Sequence, residues 1–185
     1  MLENIINIIL ILVDNSNSQT KKRVYLIYKL APGNSMKNII NKIQKDTTVK
    51  WRTVHGIDHW ERVAEYGCII AMHEKLNERI LVLFGYFHDC KRHSDGRDPD
   101  HGPRAAEYVA TFSAEELGLS EVDHQRLIIA CRHHTYECET KDITIKACWD
   151  ADRLDIGRVG FRTDPKKLFT RTAKSIVSGE FQAGS

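Results

Sequence analysis

At 185 residues with 42% apolar side chains, the chain is long enough to bury one core without disulfides or structural staples. Its 27 basic and 25 acidic residues leave a net charge of +2. That balance excludes a protein drawn as a whole to nucleic acid or to an anionic membrane, so any electrostatic selectivity must be local. The five cysteines (Cys68, Cys90, Cys131, Cys138, Cys148) are odd in number and show no CxxC spacing. They read as reduced thiols of a cytoplasmic protein.

In chain order, the apolar stretch Ile5 to Val13 is too short to span a bilayer and lacks a basic leader, so it reads as a packing element. A polar break at Asp14 to Ser18, a basic turn at Lys21 to Arg23 and a short strand or extended arm at Val24 to Tyr28 follow. Residues 1–50 are therefore expected to form an N-terminal extension that packs or oligomerises, residues 51–177 one domain, and residues 178–185 a frayed tail. From Ile57 the helical period takes over. Helices are predicted near 58–73, 77–90, 101–113, 121–134, 142–155 and 164–176, with weak strand signals between them, so the fold class is all-α.

Asp58 and Glu61 are spaced as a variant capping box opening the first of these helices. Within it, His59, Val63, Tyr66 and Ile70 recur on one face, placing His59 toward the core. The next helix is an almost unbroken apolar run from Ile80 to Phe87 that ends in His88-Asp89. A histidine and a carboxylate side by side in such a segment are costly to bury without partners, and a metal ion satisfies both. His101 shares a stripe with Ala105, Tyr108 and Phe112. His134 shares one with Leu127, Ala130 and Cys131, while His133 lies about 100° round the helix. In the segment after that, Asp152 lies with Ile145, Cys148 and Trp149 and is expected to be the buried carboxylate. Asp150 falls with Lys146 and Arg153 on the polar face. Trp60 and Trp149 read as core residues.

Five helices thus each deliver an imidazole or carboxylate to an apolar face, with no lysine or arginine on the same stripe to neutralise the acids. Nitrogen and carboxylate ligands without thiolate suit one or two divalent ions among Fe, Mn, Ni, Co and Zn. The order His59, His88-Asp89, Asp152 resembles the HD-domain superfamily of metal-dependent phosphohydrolases, over roughly residues 55–160. Phe87 to Cys90, Asp95 to Arg104 and Cys148 to Asp155 resemble an uncharacterised bacterial subgroup more narrowly. The resemblance implies an HD-type helical bundle with a metal site in its core. It implies one ion on His59, His88, Asp89 and Asp152, and, from members that hold two metals, additional ligands at His101 and His134. Many HD enzymes carry lysine or glutamate three residues after the doublet; here the residue is Arg92.

The expected chemistry is hydrolysis of a phosphomonoester or phosphodiester, such as a nucleotide or related small molecule, by metal-bound hydroxide. Asp89 would bridge two ions about 3.5 to 4 Å apart. Arg62, Arg92 and Arg104 follow ligand positions by three residues and are the expected phosphate contacts, entering one pocket, with Arg104 foremost. The partner is then a small-molecule phosphate, with no membrane or nucleic acid, and homo-oligomerisation is left open. Two other functions use the same residues: a mixed-valence di-iron oxygenase, and a ligand-binding module without catalysis.

Overall fold

The computed structural model describes residues 36–48 and 53–181; the segments 5–13, 21–23 and 24–28 read above lie outside them, as do residues 182–185. The described chain holds eight α-helices and no strand, in agreement with the all-α expectation.

A helix that is apolar all round must be covered on every side, and Ile80 to Phe87 is such a segment. In the structure it forms α3 (Glu78–Phe87), where all eight of these residues are buried and the Asn77 side chain caps the N-terminus by accepting from Arg79 N. Around it lie α1 (Met36–Asp46), α2 (Ile57–Glu74), α4 (His101–Val109), α6 (Glu121–His133) and α7 (Ile143–Leu154). The short α5 (Ala114–Leu117) is closed by a capping box between Ser113 and Glu116 and leads into α6. After α7 come two 3-10 turns, Asp155–Val159 and Pro165–Lys167, and then α8 (Arg171–Ser178), which packs on α2 and α7.

Small residues set how closely these helices approach. A Cβ added at Gly85 of α3 would lie 2.7 Å from Ala64 N and 2.9 Å from Ala64 Cα of α2. Contacts that short do not occur, so glycine is what lets the two backbones cross there. Gly102, in the first turn of α4, has the same function against α6. A Cβ there would stand 2.8 Å from Cys131 O and 2.9 Å from Arg132 O.

Several expectations are revised. α1 falls in the stretch read as an extension that packs or oligomerises, and its Met36, Ile39 and Ile43 are buried in the common core. The helix expected to run to residue 90 ends at Phe87, so His88 is its C-cap and Asp89 stands in the turn beyond. α2 begins one residue before Asp58, with Gly56 as its N-cap and no side-chain capping bond. Asp58 instead sits exposed in the first turn, where its charge complements the positive end of the helix. The segment expected as one helix over 164–176 is interrupted between Lys167 and Arg171.

That interruption has a buried anchor. Asp150, read as a supporting or surface acid, is fully buried, whereas Asp152, the carboxylate expected to be buried, has a side chain 25% exposed. The Asp150 carboxylate accepts from Phe169 N at 3.0 Å, from Thr170 N at 2.7 Å and from Thr170 Oγ1 at 2.8 Å, tying α7 to the N-cap of α8. Truncation would leave these donors unpaired inside the protein. Asp150→Ala is expected to lower unfolding free energy in urea by about 3 kcal/mol, and Asp150→Asn, which keeps an acceptor, by distinctly less. Equal losses for the two would show that the acceptor oxygen is not what matters.

Candidate metal centre

Five helices bring their ends together beneath the turn that follows α3. His59 lies in the first turn of α2, His88 and Asp89 follow α3, His101 opens α4, His134 caps α6, and Asp152 lies in the last turn of α7. His59, His88 and Asp89 form one cluster able to hold an ion; Asp89, His101 and His134 form a second that shares the same carboxylate.

In the first cluster His59 Nε2 lies 3.0 Å from His88 Nε2. Asp89 Oδ2 is 3.7 Å from each of these nitrogens, and Asp152 Oδ1 is 3.4 Å from His59 Nε2 and 3.7 Å from His88 Nε2. In the second, His101 Nε2 and His134 Nε2 are 2.7 Å apart, and Asp89 Oδ1 lies 3.1 Å from the former and 3.4 Å from the latter. The two oxygens of Asp89 therefore serve different clusters.

The other ring nitrogen of each histidine settles its tautomer. His59 Nδ1 is 2.7 Å from Asp155 Oδ2, and His88 Nδ1 is 3.1 Å from Phe84 O and 3.0 Å from Gly85 O. His101 Nδ1 bonds Asp98 O, and His134 Nδ1 bonds Cys131 O at 2.7 Å. Each of these partners is an acceptor, so in the neutral rings all four Nδ1 atoms carry the proton and all four Nε2 atoms present lone pairs. Two pairs of lone pairs then face one another beside carboxylate oxygens. A divalent cation is the group that fits such a set, and the nitrogen and oxygen composition suits a transition metal. The neighbouring thiols of Cys90 and Cys131 are no rivals, because burial pushes both far up and keeps them protonated.

Charge within the clusters follows from the same arrangement. Burial works against a charged His59, but the carboxylates of Asp152, Asp155 and Asp89 outweigh it and raise its pKa. His134 is raised too, with Asp89 and Asp152 overcoming burial. His88, stacked on Phe84 and wholly buried, is pushed down to about 3 by desolvation. Asp89 is held well below the usual carboxylate range, since His88, His101 and His134 outweigh its burial.

The structure adds residues that the sequence reading passed over. Asp155 accepts from Arg62 Nε at 2.6 Å and from Arg62 Nη2 at 3.1 Å while orienting His59. Its spacing of three from Asp152 was the available signal. His55 lies at the rim, its Nδ1 3.1 Å from Asp95 Oδ1 and its ring 6.1 Å from that of His59. Desolvation lowers its pKa.

Of the three arginines expected in one pocket, only Arg92 reaches the ligand atoms, with Nη1 3.5 Å from Asp89 Oδ1. Arg62 is committed to Asp155. Arg104 donates to Lys91 O at 3.0 Å and to Asp98 Oδ2 at 2.6 Å, so it pins the loop that holds His101. In that loop, 95–100, the Asp98 carbonyl fixes His101 through Nδ1. Of the two adjacent histidines, His134 is the one turned to Asp89.

The fold matches the crystal structure of a predicted HD superfamily hydrolase from an uncultured Thermotogales bacterium, with a TM-score of 0.62 and 27% identity over 78% of this chain and 84% of that one. The chain has the all-α fold of that HD superfamily protein. No family model and no curated protein sequence matches the chain. Here the doublet for which that fold is named is His88-Asp89, at the end of the most buried helix. Among the described residues no helix is long and apolar enough to cross a membrane.

Metal binding needs neutral rings, and His59 and His134 hold protons above the ordinary histidine value of about 6.5. Protons therefore compete with the ion at these two rings, and affinity should rise with pH through neutrality and level off above their raised pKa values. Equilibrium dialysis with Mn(II) is expected to show binding at pH 6 at least about tenfold weaker than at pH 8. A flat profile would mean that neither ring is protonated before the ion enters.

Proposed function

We propose that this HD-domain protein is a metal-dependent phosphohydrolase acting on a small phosphomonoester or phosphodiester, a nucleotide being the leading class. The observation that carries this reading is the convergence of the His59 and His88 nitrogen atoms with the Asp89 and Asp152 oxygen atoms, at separations of 3.0 to 3.7 Å. An ion bound there supplies Lewis acidity toward a phosphoryl oxygen and lowers the pKa of water to about 7, chemistry that needs no serine or cysteine nucleophile.

The chain's own groups divide the remaining work. Asp155 and the Phe84 and Gly85 carbonyls fix the two imidazoles in the ligating tautomer. Arg92 brings a permanent positive charge to the edge of the cluster, suited to phosphate oxygens. His55, neutral and fixed through Nδ1 by Asp95, offers its Nε2 lone pair to a water or substrate hydroxyl at the rim. Arg104 and Arg62 act as positioning residues, through the Asp98 loop and through Asp155. The substrate reading fits a protein of the cytoplasm.

Phosphate release from a panel of nucleotides and generic phosphoesters, with Mn, Ni, Co, Fe, Zn or Mg added to stripped protein, is the direct test. Release by wild type and its loss in Asp89→Ala, together with lost metal retention, is the expected outcome. Full metal retention in Asp89→Ala would remove its assigned role. His55→Ala should lower kcat about a hundredfold or more with metal content unchanged, and loss of metal instead would make His55 a structural support of the cluster.

The shared carboxylate Asp89 favours one other reading, a di-iron oxygenase, which requires both clusters to be filled. Iron loading with an oxygen-dependent product would support it, and turnover under nitrogen with manganese, cobalt or nickel would exclude it.

A further inference from the structure

The two clusters share Asp89 but differ in the protein groups that stand beside them. Among the described residues, no protein N–H or O–H donor is hydrogen-bonded to His59 Nε2 or His88 Nε2; they meet each other and the carboxylates of Asp89 and Asp152. At the second cluster the protein supplies donors of its own. Arg92 Nη1 lies against the His101 ring, 3.2 Å from Nε2 and 3.3 Å from Nδ1, and 3.5 Å from Asp89 Oδ1, and Thr135 Oγ1 lies 3.0 Å from His101 Nε2.

The guanidinium is held in that position. Arg92 Nε donates to Ser94 O at 3.2 Å and Nη2 to Gly96 O at 2.7 Å, and the side chain is only 9% exposed. Arginine cannot give up its proton to make room, as a lysine or histidine can. It therefore presents a fixed unit charge to two of the three ligand residues that a second ion would need. A dication brought within a few ångströms of that charge loses affinity by a factor of about a hundred or more, even at a high effective dielectric.

We infer that Arg92 is the cation of the second position: the protein binds one metal ion tightly, on His59, His88, Asp89 and Asp152, and Arg92 stands where a two-metal enzyme places its second ion. From there its remaining Nη hydrogens would be available to an oxygen of a phosphate bound beside the first position. That phosphate contact depends on the hydrolase reading; the metal count does not. In this arrangement Asp89 spans one metal and one guanidinium, and His101 and His134 hold the bridging carboxylate and Arg92 in place.

Full-length, metal-stripped protein would be dialysed against Mn(II), with bound metal counted by mass spectrometry and electron paramagnetic resonance recorded at saturation. Wild type is expected to take up one equivalent tightly and to show no spin-coupled pair. Arg92→Gln and Arg92→Met are expected to bind a second equivalent about a hundredfold more tightly than wild type does and to show coupling. Adding His134→Ala should abolish that second equivalent. In a wild-type background, His134→Ala should leave the single tight equivalent in place.

Two equivalents of comparable affinity with a coupled spectrum in wild type would overturn the inference. So would an Arg92→Gln protein, folded by circular dichroism, that still binds one. Should both Arg92 variants fail to fold, the wild-type stoichiometry and the His134→Ala count decide the matter. One equivalent bound with no phosphate released from any compound would refute the hydrolase reading while leaving the metal count standing.

Discussion

Four imidazole lone pairs aimed at one buried carboxylate are the constraint on which the rest of this structure depends. Leaving two such pairs face to face without a cation costs several kcal/mol, and the rings would turn away if anything allowed it. Nothing does, because each ring is held from behind by an acceptor on its Nδ1: the Asp155 carboxylate, the Phe84 and Gly85 carbonyls, Asp98 O and Cys131 O. Three of the four anchors are backbone carbonyls, so ring orientation is set by the path of the main chain more than by side-chain choice. Asp155 is the exception, and it is itself braced by Arg62.

This makes helix approach a matter of chemistry. His101 meets His134 only because the first turn of α4 rests on the carbonyls at the end of α6, which a Cβ at Gly102 would prevent. His59 meets His88 because α2 and α3 cross at Ala64 and Gly85 with almost no space between their backbones. Glycines that look incidental in the sequence thus set the spacing of ligand atoms several residues away. The loop from His93 to Asp100 works in the same sense, with Arg104 and the His93 amide holding Asp98 so that its carbonyl can fix His101.

The clustering of these histidines and aspartates was legible because burial phase is a local property. His59, His101, His134 and Asp152 each fall on an apolar stripe of their own helix, and the His88-Asp89 doublet closes an almost unbroken apolar run. What escaped was decided by residues far away in sequence. Asp150 looks like a surface acid on the helical wheel, and its burial depends on Phe169 and Thr170 folding back over it. Arg104 has the spacing of a phosphate contact, but Asp98 and the Lys91 carbonyl claim it first. Asp155 is offered in the sequence by its spacing of three from Asp152, but its contact with His59 lies 96 positions away. The end of α3 at Phe87 was hidden because the apolar run reaches the doublet without any breaker.

His59 in α2 and Asp152 in α7 lie at the two ends of the central stretch of chain, and the segments after α3 and α6 meet between them. Any ion gripped by these groups is therefore a cross-link that closes long loops at a single atom. Like a disulfide, such a junction removes freedom from the unfolded chain, but it does so reversibly and in proportion to free ion concentration. With such an ion bound, the durability of the whole helical bundle would be tied to metal supply, and a starved chain would be a looser one even where no clustered residue has changed.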